Sequence, residues 1–154
     1  MNKEDVVYVA IMLDESSISM CKALVEHYAK IPNEKWTLSQ FTIGCEHITL
    51  GFGDKVTNEM IKCVGMEVKD IHPKAMLIDD YGCYGLFISN KELSSRGIPF
   101  TGTHVHVTLC HPNIIAPVAV GTIPDRDHYC VKINPAYSLT GKIMAFCKNG
   151  DFCC

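Results

Sequence analysis

One tetrapeptide occurs twice in this chain and carries the groups best suited to chemistry: His47-Ile48-Thr49-Leu50 and His106-Val107-Thr108-Leu109. Histidine is the side chain whose ordinary pKa lies nearest neutrality, so it can take or give a proton at cellular pH. A threonine two residues on carries a hydroxyl that can donate to an anionic oxygen. Read as β-strands, both copies put the imidazole and the hydroxyl on one face and the aliphatic pair on the other. Two such strands side by side would present two imidazoles and two hydroxyls to one cavity. One imidazole could then serve as base and the other as acid on opposite sides of a phosphorus atom. The hydroxyls would hold the phosphate oxygens and stabilise the charge that grows on them. A single copy would read as an ordinary strand with a half-buried histidine. Repetition at matching positions argues for a joint role.

The elements that must position these groups follow from pattern. The apolar, β-branched run 6–13 predicts a central strand. Ile18, Cys21, Leu24, Val25, Tyr28 and Ile31 recur at helical spacing and predict an amphipathic helix over 18–31, with N-cap candidates in 14–17 and Pro32 as its stop. A loop carrying Trp36 follows over 33–40. The first motif lies in a strand over 41–52, closed by Gly51 and Gly53, and Thr57 caps a short helix reaching about 64. Strands are expected over 67–71 and 74–78. A hairpin through Asp79-Asp80-Tyr81-Gly82 joins the second of these to a strand over 83–88. A brief helix over 90–96 precedes the second motif strand, 102–110. A loop over 112–117 and strands over 118–123, 129–133 and 143–146 complete the chain. The order predicts one α+β domain over 1–154, largely antiparallel, built of two similar halves with one motif strand each.

Composition narrows the function classes. Hydrophobic residues make up 47% and charged residues 20%, which suits a packed core rather than disorder. The net charge of −3 disfavours a protein that coats a nucleic acid, so a nucleic-acid substrate would be gripped locally, at an end or a single nucleotide. No apolar run approaches the ~20 residues needed to span a bilayer, and 6–13 is too short for a signal peptide and lacks a cleavage site. The nine cysteines are odd in number and include no C-x-x-C pair, so they suggest neither a zinc knuckle nor a redox motif. They read as reduced thiols, several packed as small hydrophobes, and predict a cytoplasmic protein. Cys153-Cys154 resembles the di-cysteine ending of doubly prenylated GTPases, but no phosphate-binding loop accompanies it.

The paired H-x-[T/S]-x motifs resemble those of the two-histidine (2H) phosphoesterase superfamily. Here they read HITL followed by Gly51-Phe52-Gly53 and HVTL followed by Cys110-His111. Members of the superfamily include the LigT-like RNA 2′,3′-cyclic phosphodiesterases and the cyclic phosphodiesterase domain of fungal and plant tRNA ligases. HITLGFG is similar to the first motif of the latter group. The resemblance is specific at the eight motif positions and looser in the order of strands and helices. Neither the stretch 71–101 nor the tail after Cys110 can be aligned with the family.

What the resemblance implies can be stated residue by residue. The fold would be bilobal and LigT-like, with two largely antiparallel sheets around a central cleft and flanking helices. The activity would be hydrolysis of RNA or nucleoside 2′,3′-cyclic phosphates to 2′-phosphates, as in RNA repair and tRNA splicing. His47 and His106 would be catalytic, with Thr49 and Thr108 holding the phosphate and with no metal or other cofactor. His106 is assigned as base and His47 as acid, although the sequence does not distinguish the two. Alternatives within the fold are cleavage of 2′-5′ oligoadenylate, of ADP-ribose cyclic phosphate or of RNA 3′ tails. A different class is a non-catalytic module that binds RNA ends or nucleotides. The expected partner is an RNA end or cyclic nucleotide, with no membrane, and the chain is expected to be a monomer.

Other residues near the motifs could play supporting roles. Phe52, Tyr81, Tyr84 and Phe100 are candidates to stack on a base, and His104 to line the cleft. His104-x-His106 has a spacing seen at zinc sites, with His111 and Cys45 close by, but no carboxylate completes such a set. Lys55, Arg96, Lys132 and Lys142 could meet phosphates but read better as solvated charges. His27, His72 and His128 read as structural or exposed.

Overall fold

The computed structural model describes residues 1–28 and 40–153. Its strands are β1 (Val6–Leu13), β2 (Phe41–Ile43), β3 (His47–Phe52), β4 (Glu67–Ile71), β5 (Pro73–Asp79), β6 (Tyr84–Ile88), β7 (His106–Pro112), β8 (His128–Lys132), β9 (Leu139–Cys147) and β10 (Phe152–Cys153). They form one ten-stranded sheet whose hydrogen-bonded path runs β10-β9-β1-β3-β7-β6-β5-β8, with β2 added to β7 and β4 to β9. All of these pairings are antiparallel. The α+β, largely antiparallel class expected from the sequence is what the chain adopts.

The two motif strands are neighbours at the middle of the path. They meet through one pair, Ile48↔Val107, whereas each is paired along its length with a strand of its own half, β3 with β1 and β7 with β6. The expected pair of sheets therefore takes the form of one continuous sheet with a seam where the motifs touch.

One face of this sheet is dry. Val9, Ile11 and Leu13 of β1 join Ile48, Leu50, Val107, Leu109 and Ile143 in the main core. Helix α1 (Glu15–Tyr28) buries Ser17, Cys21, Leu24 and Val25, an i, i+4, i+7, i+8 stripe. Asp14 Oδ1 accepts from Ser17 N at 2.8 Å and secures its first turn. Helix α2 (Asn58–Lys62) adds Met60 and is capped by Thr57 Oγ1, as its sequence predicts. Helix α3 (Asn90–Ser95) adds Leu93. Each such side chain stabilises the fold by roughly 1.5–3 kcal/mol on burial. The aliphatic residues of both motifs are thus locked from behind.

The structure corrects several expectations. The strand over 41–52 is broken into β2 and β3 by Gly44 and by Cys45, which has a left-handed φ of 68°. Their amides donate to Leu109 O at 2.9 Å and Thr108 O at 2.8 Å, so both pieces lie along β7. A Cβ on Gly44 would stand 2.5 Å from Thr108 O, and glycine is what allows that approach. The apolar run 118–123 is a 3₁₀ helix, Pro117–Asp125, rather than a strand. Short apolar runs look alike in either state, and here Pro117 opens the helix while Val120 and Ile123 pack on Leu77, Cys83 and Phe87. β7 begins only at His106, and β10 is a strand too short to read from sequence. The helix end at Ile31 and Pro32, the loop with Trp36 and the final Cys154 lie outside the described residues.

The cysteines divide. Cys147 and Cys153 form a disulfide across β9 and β10, contrary to the reading of all nine as reduced. Cys21, Cys45, Cys63, Cys83, Cys110 and Cys130 are free. Burial pushes the thiols of Cys21, Cys83 and Cys110 up to about 12 and that of Cys45 to about 11, so they stay protonated and act as packing groups. Among the described residues no helix is long and apolar enough to cross a membrane.

Candidate active site

The register at the seam builds the site. Centring an antiparallel pair on Ile48↔Val107 sets His47 opposite Thr108 and Thr49 opposite His106. All four alternate with buried Ile48, Leu50, Val107 and Leu109, so they share the face turned away from the main core. The two histidines are diagonal neighbours, a relation that separates residues by about 7–8 Å across a sheet. Each imidazole has a threonine directly across the seam.

The neighbouring strands shape this face with a repeated design. Beside each threonine stands a small residue: Ala10 of β1 pairs with Thr49, and Gly85 of β6 pairs with Thr108. Beside each histidine lies an aromatic ring. Tyr8 stacks on His47 at 5.7 Å between centroids and 23° between planes, and Phe87 stacks on His106 at 5.4 Å and 27°.

Histidine electrostatics follow from burial. Desolvation pulls the pKa of His47 below its ordinary value, partly countered by the Glu46 carboxylate next to it. It does the same to His106, where the hydrogen bond to His104 O works in the opposite direction and repulsion from His104 and His47 reinforces the drop. Both rings are therefore neutral at pH 7, and they are near enough to feel each other. His106 Nδ1 lies 2.8 Å from His104 O. A carbonyl can only accept, so Nδ1 carries the proton and Nε2 keeps its lone pair. No hydrogen bond fixes the His47 ring among the described residues, and it is held by its stack on Tyr8.

The Pro117–Asp125 helix closes over His106. A Cβ on Gly121 would sit 2.9 Å from His106 Cε1, so only glycine lets this backbone lie against the ring. The helix is pinned at its end. Arg126 Nη1 donates to Asp79 Oδ2, and Arg126 Nη2 donates to Ala119 O at 2.6 Å. The other oxygen of the buried Asp79 accepts from Cys83 N at 2.8 Å and Tyr81 N at 2.9 Å. Asp125 Oδ1 meets His104 Nε2 at 2.9 Å.

His47, Thr49, His106 and Thr108 are thus brought together as their types and spacing predict. His104 stands beside them, paired with Asp125, and contributes its carbonyl rather than its ring to His106. Phe52 is 62% exposed and pairs with Tyr8 on the same open face. Tyr84 does not belong to the site, because it is buried in the main core. Phe100 packs against that core as well. Tyr81 sits in the β5–β6 turn beyond Tyr84, which pairs with Cys110, four residues along β7 from His106.

The remaining candidates are held elsewhere. Cys45 Sγ donates to Leu109 O, and His111 Nδ1 donates to Pro112 O at 2.9 Å. No group of three or more His, Cys, Asp or Glu placed to hold a metal occurs among the described residues. Arg96 binds the carbonyls of Lys69 and Asp70 and the Glu92 carboxylate, so its role is structural. Lys55, Lys132 and Lys142 are exposed. His72 and His128 bond backbone carbonyls, and His27 packs edge-on against Tyr28. A groove of about 530 Å³ between α1 and residues 132–137 contains neither motif histidine.

Sequence reasoning missed Tyr8, Phe87 and Gly121. Tyr8 was detectable: it is the one residue with a polar tip in the otherwise apolar run 6–13, which marks it for the wet face. Phe87 and Gly121 left no such signal, since each matters only through its contact with His106. No family model matches the chain, and no curated protein matches it.

Proposed function

We propose that this chain is a metal-independent phosphodiesterase of the two-histidine kind that hydrolyses 2′,3′-cyclic phosphates of RNA or nucleosides. The observation that carries the proposal is the Ile48↔Val107 register, which sets His47 beside Thr108 and His106 beside Thr49 on one open face. In the proposed reaction His106 Nε2 takes a proton from water, and the water oxygen forms the new bond to phosphorus. The bond from phosphorus to the ribose 3′ oxygen breaks, and His47, in its protonated form, supplies the proton that the departing oxygen needs. The product keeps a 2′-phosphate. Thr49 and Thr108 donate to the non-bridging oxygens and stabilise their growing charge. One feature supports His106 as base: its Nδ1–H is committed to His104 O, which leaves Nε2 with its lone pair. His47, whose ring makes no hydrogen bond among the described residues, is free to arrive protonated with an anionic substrate, whose charge raises its pKa.

The test is turnover of a 2′,3′-cyclic mononucleotide and of an RNA ending in a cyclic phosphate, with EDTA present. Product analysis reads the position of the remaining phosphate. His47→Ala and His106→Ala are each expected to abolish turnover. Full activity in either variant, or activity lost on chelation, would sink the proposal.

A further inference from the structure

Four aromatic residues form a single row across the open face of the first half. Cross-strand pairing sets Phe152 opposite Phe146, Phe146 opposite Tyr8 and Tyr8 opposite Phe52, so β10, β9, β1 and β3 give one ring each. Successive ring centroids lie 5.7, 5.2 and 6.3 Å apart. Tyr8 also stacks on His47, so the row starts at the candidate site and leads away from it. Its length is three strand spacings, about 14 Å, which is more than one base requires.

The two halves treat this face differently. In the second half Pro117–Asp125 covers it by packing Val120 and Ile123 on Phe87. In the first half Phe52 is 62% and Phe152 is 44% exposed, so no described segment covers the row in the same way. The Cys147–Cys153 disulfide ties the short β10 to β9, and the Phe152 ring stands edge-on to Phe146, at 80° between planes. Charge near the row is mixed: Glu46 precedes His47, Asp54 follows Phe52 by two residues and Asp151 precedes Phe152, while Lys148 follows Phe146 by two. Exposed rings in a row suit a ligand gripped by its flat bases. Aromatic side chains on an open sheet face stack successive unpaired bases in this manner.

We infer that the row Phe52–Tyr8–Phe146–Phe152 is a stacking track for two or more unpaired bases, and that the substrate is the end of an RNA strand rather than a free mononucleotide. This rests on the hydrolysis proposed above. The base of the nucleotide bearing the cyclic phosphate meets Tyr8 and Phe52, and the base before it meets Phe146 and Phe152.

The experiment compares kcat/KM for a 2′,3′-cyclic mononucleotide and for a dinucleotide and a hexanucleotide ending in a cyclic phosphate. Wild type is set against Phe152→Ala, and against Phe146→Leu, which keeps bulk while removing the π-face. The wild type is expected to favour the oligonucleotides by about tenfold or more, with both variants bringing that preference towards one. Because stacking carries the preference, it should persist as salt is raised. Equal kcat/KM on mononucleotide and oligonucleotide in the wild type overturns the track and leaves the hydrolysis standing. If no cyclic phosphate is turned over, the hydrolysis falls, and anisotropy with a labelled single-stranded RNA decides the track alone. Binding weakened by Phe152→Ala supports it. Absent binding, or a concentration-dependent dimer abolished by Phe152→Ala, overturns it.

Discussion

Replacing Gly121 by alanine tests whether the place of the His106 ring governs activity. The added methyl carbon would stand 2.9 Å from His106 Cε1 and 3.5 Å from Nε2. Carbon atoms rest at about 3.5–4.0 Å, so something must yield by roughly 0.6–1 Å. The helix backbone around Gly121 is held by Arg126 through Asp79 and Ala119 O. The ring is held by one 2.8 Å hydrogen bond and its stack on Phe87, so the ring is the softer partner. Misplacing a catalytic group by about 1 Å can cost about 10²-fold, equivalent to ~2.7 kcal/mol of transition-state stabilisation. Gly121→Ala is therefore expected to lower kcat/KM on a 2′,3′-cyclic nucleotide by about 10–100-fold. Overpacking strain of about 1–3 kcal/mol should also lower Tm by about 2–4 °C per kcal/mol. A double-mutant cycle separates the ring from the rest of the structure. In His106→Ala the atom that clashes is gone, so adding Gly121→Ala should lower Tm much less than it does in wild type. Wild-type turnover by Gly121→Ala, or the same Tm loss in both backgrounds, would refute the contact as the cause.

Three further outcomes are expected. Thr49→Val and Thr108→Val should each lower kcat by ~10²-fold, as loss of a single charge-stabilising donor does, and rates near wild type in both would remove the threonines from the site. Burial holds the pKa of His47 and His106 below their ordinary 6.5 in the folded chain, so the unfolded chain binds more protons below that pH. Stability should thus fall as pH drops from about 7.5 to about 5.5, and the fall should shrink when both histidines are replaced by glutamine; a Tm that rises on acidification contradicts the assignment. Burial pushes the Asp79 carboxyl up, but hydrogen bonds from Arg126, Cys83 N and Tyr81 N more than offset this and hold it low. Asp79→Ala leaves those donors unpaired, so a loss of about 1–3 kcal/mol is expected in urea melts, with turnover falling as the Pro117–Asp125 helix loosens over His106. An unchanged urea midpoint would show that the anchor does not hold that helix.

The sequence determined the parts of this protein whose meaning is local. Alternation along HITL and HVTL settled which side chains share a face, because a strand turns every second residue the same way. Helical spacing located α1, and Thr57 located the start of α2. The α+β class and the β5–β6 hairpin followed from turn residues and run lengths. Only the tertiary structure decided what depends on register and on partners distant in the chain. Gly44 and Cys45 split the first motif strand because β7 offers carbonyls for their amides. Residues 118–123 are helical because Val120 and Ile123 find Phe87, Leu77 and Cys83 beneath them. Tyr84 is buried and Tyr8 is on the open face because pairing, not hydrophobicity, sets which side of the sheet each meets. The meeting of His47 with Thr108 and of His106 with Thr49 hangs on the single pair Ile48↔Val107. A slip of two residues there would keep every side chain on its own face yet change which residue each histidine meets, and no local pattern in either tetrapeptide encodes that choice.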